Sequence, residues 1–136
     1  MSNDEYMKAL YAVFERAMTV WTIARSNCLL VIEESLDREK IANRDIFEYG
    51  MQFIVDGVDY GIDISFIDRI LSNIIKQEKD ERQIILKTIQ KEAVLSIQKG
   101  DNPRILFCIM KSYTDIPLDD PVFKKILGDD SDESDE

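Results

Sequence analysis

A chain of 136 residues carries 27 acidic against 17 basic side chains, a formal charge of −10, and not one histidine. That length suits one domain with a real core. The acidity disfavours a nucleic-acid partner, whose phosphates it would repel, and the missing histidines remove the commonest general base and metal ligand.

The clearest predicted helix spans about 3–36. Met7, Leu10, Phe14, Ala17, Trp21, Ala24, Cys28 and Val31 follow alternating steps of three and four, an a/d stripe widened by Tyr11, Met18 and Ile32. Ser2 and Glu5 offer a capping box at its start. Such a stripe seals against other helices of its own chain or pairs with a second copy. Packing within the chain is favoured slightly, with Phe14 and Trp21 as the candidates for self-association in a homodimer. A second helix is expected over about 44–55, capped by Asn43 and burying Ile46, Phe47, Gly50, Phe53 and Ile54. A glycine at position 50, mid-helix, costs about 1 kcal/mol against alanine and implies a close helix crossing. Gly57 is placed to end that helix in a left-handed conformation.

Asp63 can cap a third helix carrying Ile67, Ile70, Leu71, Ile74 and Ile75. The apolar rhythm stops at Lys76 and resumes at Ile84, but all the intervening residues except Asp80 are good helix formers. One long helix over about 64–99 is therefore expected, with a solvated middle and room for a kink near Asp80. Lys99-Gly100-Asp101-Asn102-Pro103 is a stop-and-start signal: glycine past one helix, asparagine as the next cap, proline at the first helical position. A shorter helix follows over about 103–113, with room for one more turn of helix around Pro121 to Leu127. The end of the chain, 128–136, holds six of the acidic residues and nothing to anchor a core, so it is expected to be a disordered acidic tail on a single domain, 1–127. No β alternation is present, and the fold class is an all-α helical bundle.

Chemistry is sparse. Cys28 and Cys108 lie far apart in sequence among aliphatic neighbours, the setting of buried structural thiols. There is no phosphate-binding glycine loop, nucleophile elbow or zinc-protease motif. Asp56-Gly57-Val58-Asp59-Tyr60-Gly61 imitates a calcium loop, but valine and tyrosine stand where ligands are needed. The reading is a protein that is not an enzyme, with no catalytic residue, metal site or cofactor. No apolar run approaches the roughly 18 to 20 residues that cross a bilayer, and no charged-then-apolar leader opens the chain. Direct membrane insertion is therefore not expected, and the location is read as cytoplasmic.

Three stretches carry a resemblance. Ser96-Ile97-Gln98-Lys99-Gly100-Asp101-Asn102-Pro103-Arg104-Ile105 resembles the stretch SIQAGDNPRI that follows the membrane helices of the flagellar stator protein MotA, a member of the proton-channel family that includes ExbB and TolQ. Phe53-Ile54-Val55-Asp56-Gly57 with Phe66-Ile67-Asp68-Arg69-Ile70-Leu71 matches an earlier cytoplasmic piece in the right order. Ala24-Arg25-Ser26-Asn27-Cys28-Leu29-Leu30-Val31-Ile32-Glu33 resembles the family's ARREGLLALE, with Ser26, Asn27 and Cys28 replacing arginine, glutamate and glycine. In that family a pair of transmembrane helices separates the first two pieces; here Lys76 to Gln83 takes their place.

The resemblance implies the torque-facing parts of a stator without its ion path. Within the family, an arginine and a glutamate eight positions later contact the charged ridge of the rotor protein FliG, and those positions match Arg25 and Glu33. On one helix, residues eight apart differ by about 80° and about 12 Å of rise, so both can meet one partner. The function implied is a cytoplasmic, motor-associated bacterial protein, peripheral at the flagellar motor. It would bind FliG or a stator complex and support or modulate motility. The alternative is a self-associating structural scaffold with no rotor binding.

Overall fold

A computed structural model describes residues 1–26, 45–60 and 62–128. Among these residues the chain is all-α, with six helices and no strand. Helix α1, Asn3–Ser26, starts on the expected box: Ser2 Oγ accepts from the Glu5 N–H at 3.1 Å, and the Glu5 carboxylate accepts from the Ser2 N–H at 2.8 Å. Its stripe turns inward. Leu10, Val13, Phe14 and Ala17 are buried in the chain's own core, while Met7, Trp21 and Ala24 are half-buried. The predicted continuation to residue 36, with Cys28, Val31 and Glu33, lies outside the described residues, as do the Asn43 cap and the acidic tail.

Helix α2, Ile46–Tyr60, is started by Asp45, whose carboxylate accepts from the Glu48 N–H at 2.8 Å while Glu48 reaches back to the Asp45 N–H at 3.4 Å. Gly57 does not end it. The residue is not left-handed, and the helix runs one turn further. A side chain there would instead stand 3.1 Å from the carbonyl oxygen of Ile62, so this glycine makes room for the returning loop. Gly50 has the role its position implied: a Cβ there would meet both Val94 methyls at 2.7 and 2.8 Å.

The single helix expected over about 64–99 is two helices. Helix α3, Ile64–Ile75, begins at the Asp63 cap, which accepts from the Phe66 N–H at 3.0 Å. Helix α4 is Glu81–Lys99. Between them Gln77 and Glu78 bond back three residues, to the Ile74 and Ile75 carbonyls, and so tighten the last turn. Glu78 then takes the backbone N–H groups of Lys79 and Asp80, each at 3.1 Å, and Asp80 caps α4 by taking those of Arg82 and Gln83. Helix propensity separates these residues by only tenths of a kcal/mol each, whereas burying one leucine or isoleucine is worth about 1.5–3 kcal/mol. Folding back lets Ile67 and Leu71 of α3 pack with Leu86, Ile89, Ala93 and Val94 of α4 in one core, so packing decides the break. Lys87 to Glu78 at 2.8 Å and Lys91 to Asp68 at 3.1 Å fasten the hairpin.

Helix α4 ends in a Schellman motif: Gly100 adopts φ 80°, its N–H bonds the Ile97 carbonyl, and the Asp101 N–H bonds the Ser96 carbonyl. Asn102 and Pro103 start α5, Pro103–Lys111, as the sequence implied. Leu106, Phe107 and Met110 fill its inner face, which leaves Cys108 on the outer one. The expectation of a buried Cys108 is therefore wrong: it is an exposed free thiol. A final short helix α6, Pro121–Leu127, is capped by Asp120 and sends fully buried Phe123 against Phe14 and Phe107. Helix α4 lies at the centre, touching α1, α2, α3 and α5.

Candidate functional site

The end of α1 is built around Trp21. Its ring is half-buried, and its Nε1 donates to the backbone carbonyl of Asp101 at 2.7 Å. Asp101 is fixed in turn, because its carboxylate accepts from Ser96 Oγ at 2.7 Å. Ser96 is buried, so this bond also satisfies a hydroxyl that burial would otherwise penalise. The Gly100-Asp101-Asn102-Pro103 turn thereby does two things: it reverses the chain between α4 and α5 and anchors the last described turns of α1.

Arg25 is one turn beyond Trp21 and exposed, with its guanidinium 5.4 Å from the centre of the indole ring. The ring face attracts the cation and steadies a long side chain that water would otherwise leave free. Lys99 and Arg104, both exposed, flank the anchoring turn in sequence. Of the two partner-binding candidates, then, Arg25 stands on the surface on a fixed support. Glu33 lies outside the described residues, so the pair is placed only in part.

The self-association candidates separate. Phe14 is fully buried, 5.3 Å from the Phe107 ring and 4.7 Å from that of Phe123, and belongs to the core. Trp21 has its polar edge committed to Asp101 and its face to Arg25. Sequence reasoning missed an aromatic row along α2 and α3, Tyr49, Phe53 and Phe66. The spacing of Tyr49 and Phe53 was a signal for it; Phe53 is half-buried and packs against the core, in keeping with its inward assignment, while Tyr49 and Phe66 are exposed.

Elsewhere the polar groups serve the fold. Arg16 bridges α1 to the start of α2, 2.6 Å from Asp45 and 4.9 Å from the centre of the Phe47 ring. Burial pushes the Asp68 carboxyl up, but hydrogen bonds from Lys91 and Ser72 outweigh it and hold the group below the usual range. The Lys87 hydrogen bond, helped by the Asp80 N–H, does the same for Glu78. The Tyr113 phenol is pushed up to about 12 by burial and by its hydrogen bond to Glu92. A cavity of about 420 Å³ opens between α1, α2, α3 and α4, lined mainly by apolar side chains such as Val13, Ile46, Ile74 and Leu86. No group of three or more metal-ligating side chains converges among the described residues, and no described helix is long and apolar enough to cross a membrane.

Comparison with known proteins gives no match: no family model fits the chain, and neither does any curated sequence or solved structure. The stator resemblance rests on the three sequence stretches alone. In the structure, Trp21, four residues before Arg25, bonds Asp101 of the Ser96–Ile105 stretch.

Proposed function

We propose that this chain is a helical interaction protein of the flagellar motor, which uses the Arg25 end of α1 to engage the charged surface of FliG or a stator complex. The observation that supports this most is the Arg25–Trp21–Asp101 connection. It holds an exposed cation from one stretch that resembles the stator against Trp21, whose ring nitrogen bonds Asp101 of another. A fixed charge on a rigid element gives steering and register at little ordering cost. The protein would support or modulate motility by occupying a motor surface, working in the cytoplasm at the periphery of the motor.

A binding titration against the FliG C-terminal domain tests this at low and moderate salt. Saturable binding is expected, weakening with salt because exposed charges are screened within roughly 10 Å at 0.1 M. Reversing the charge with Arg25→Glu should weaken binding by about tenfold at low salt, equivalent to about 1.4 kcal/mol. Arg25 is exposed, so the variant should keep its fold. Equal affinity for the two proteins would remove Arg25 from the site, and no binding at either salt would reject FliG as the partner.

A further inference from the structure

Helices α1, α5 and α6 bring exposed cations to one end of the molecule. Helix α6 runs beside α1 in the same sense: its cap, Asp120, accepts from the Tyr11 hydroxyl, and three residues later on each helix Phe123 meets Phe14. Helix α5 runs the opposite way, with Asp101 at its start beside Trp21 and Phe107 beside Phe14. Moving up α1 from these three phenylalanines therefore leads to Arg25 on α1, to Arg104 on α5, and to Lys124 and Lys125 in the last turn of α6. All four cations are exposed. Among the described residues, Arg25, Lys124 and Lys125 pair with no carboxylate.

The chain's own acidic segment begins at the same end. Residues 129–136 hold six carboxylates and no basic side chain. Gly128 ends α6 in a left-handed turn, five residues past Phe123. At 1.5 Å per residue, the segment starts about 8 Å above the phenylalanines, against about 16 Å for Arg25. Its residues extend to roughly 26 Å, so it reaches Arg25 with chain to spare. Exposed ion pairs are weak singly. Here the tether supplies an effective concentration in the millimolar range, and several pairs can form together.

We propose that residues 129–136 dock on this cationic end of their own chain and cover Arg25. An acidic peptide from elsewhere would have to displace a segment already tethered beside the site. The docking stands apart from the FliG reading, although it gives FliG a competitor for the same cation.

Zero-length coupling of carboxylates to amines tests this in the full chain carrying Arg25→Lys, which keeps the charge and puts an amine at position 25. At low salt, a carbodiimide should join position 25 to residues 129–136 within one chain, as read by peptide mass. The product should be lost in about 1 M salt, where screening acts within about 3 Å. No coupling, coupling of position 25 only to other carboxylates, a product indifferent to salt, or a product of two-chain mass overturns the proposal. A second measurement keeps Arg25 in place. Trp21 is the only tryptophan, and its indole N–H resonance reports on the guanidinium beside it. Replacing the six carboxylates of 129–136 by amides should shift that resonance at low salt and leave it unmoved in about 1 M salt. An unmoved resonance at low salt overturns the proposal equally. Neither measurement contains FliG, so failure here and failure of FliG binding are separate results.

Discussion

Replacing Gly50 by alanine is the sharpest test of how α2 crosses α4. Two effects oppose each other. Alanine is favoured over glycine inside a helix by about 1 kcal/mol. Against that, the new methyl would lie 2.7 and 2.8 Å from the two Val94 methyls and 3.1 Å from Leu71 Cδ1. Overpacking of this kind costs about 1–3 kcal/mol. Leu71 can give way at its tip, but Val94 cannot: it is fully buried, β-branched and stiff at χ1, and both of its methyls face the glycine. The clash should fall in the upper half of the range, leaving a net loss of about 1–2 kcal/mol. Urea unfolding followed by circular dichroism reads this as a lower midpoint with an unchanged slope. The same substitution in a Val94→Ala background, where those methyls are gone, should reverse sign and stabilise by about 1 kcal/mol. If Gly50→Ala stabilised the parent protein, the close crossing would be wrong.

Removing the cap between the hairpin helices with Asp80→Ala should cost about 1 kcal/mol, because the Arg82 and Gln83 N–H groups lose their acceptor; the urea midpoint reports it, and an unchanged midpoint would show that water replaces the cap freely. The alkaline limb of stability should depend on Tyr113. Its folded pKa of about 12 exceeds the ordinary 10.0, so the folded state holds this proton more tightly. The contribution is complete below pH 10 and is lost as pH rises towards 12. Tyr113→Phe should make the urea midpoint less steeply dependent on pH across that window, and an identical slope in the two proteins would refute the assignment.

How much of this was legible depended on whether a feature is decided locally. The Gly100-Asp101-Asn102-Pro103 turn was readable because each residue has one strong conformational role, and each adopts it. The same holds for the Ser2–Glu5 box and the Asp63 cap. The break after Ile75 was not, since nearly every residue from Lys76 to Gln83 favours helix, and what divides α3 from α4 is burial of Ile67 and Leu71 against residues far along the chain. Gly57 misled for the opposite reason. It looked like a helix stop, but its use is steric, as space for the Ile62 carbonyl. Cys108 has aliphatic neighbours in sequence, yet a helix sends consecutive residues to different faces, and the inner one was already filled by Leu106, Phe107 and Met110. In the candidate site, the arginine was legible from the resemblance alone. Its support was not, because the Trp21–Asp101 bond joins residues that only folding brings together.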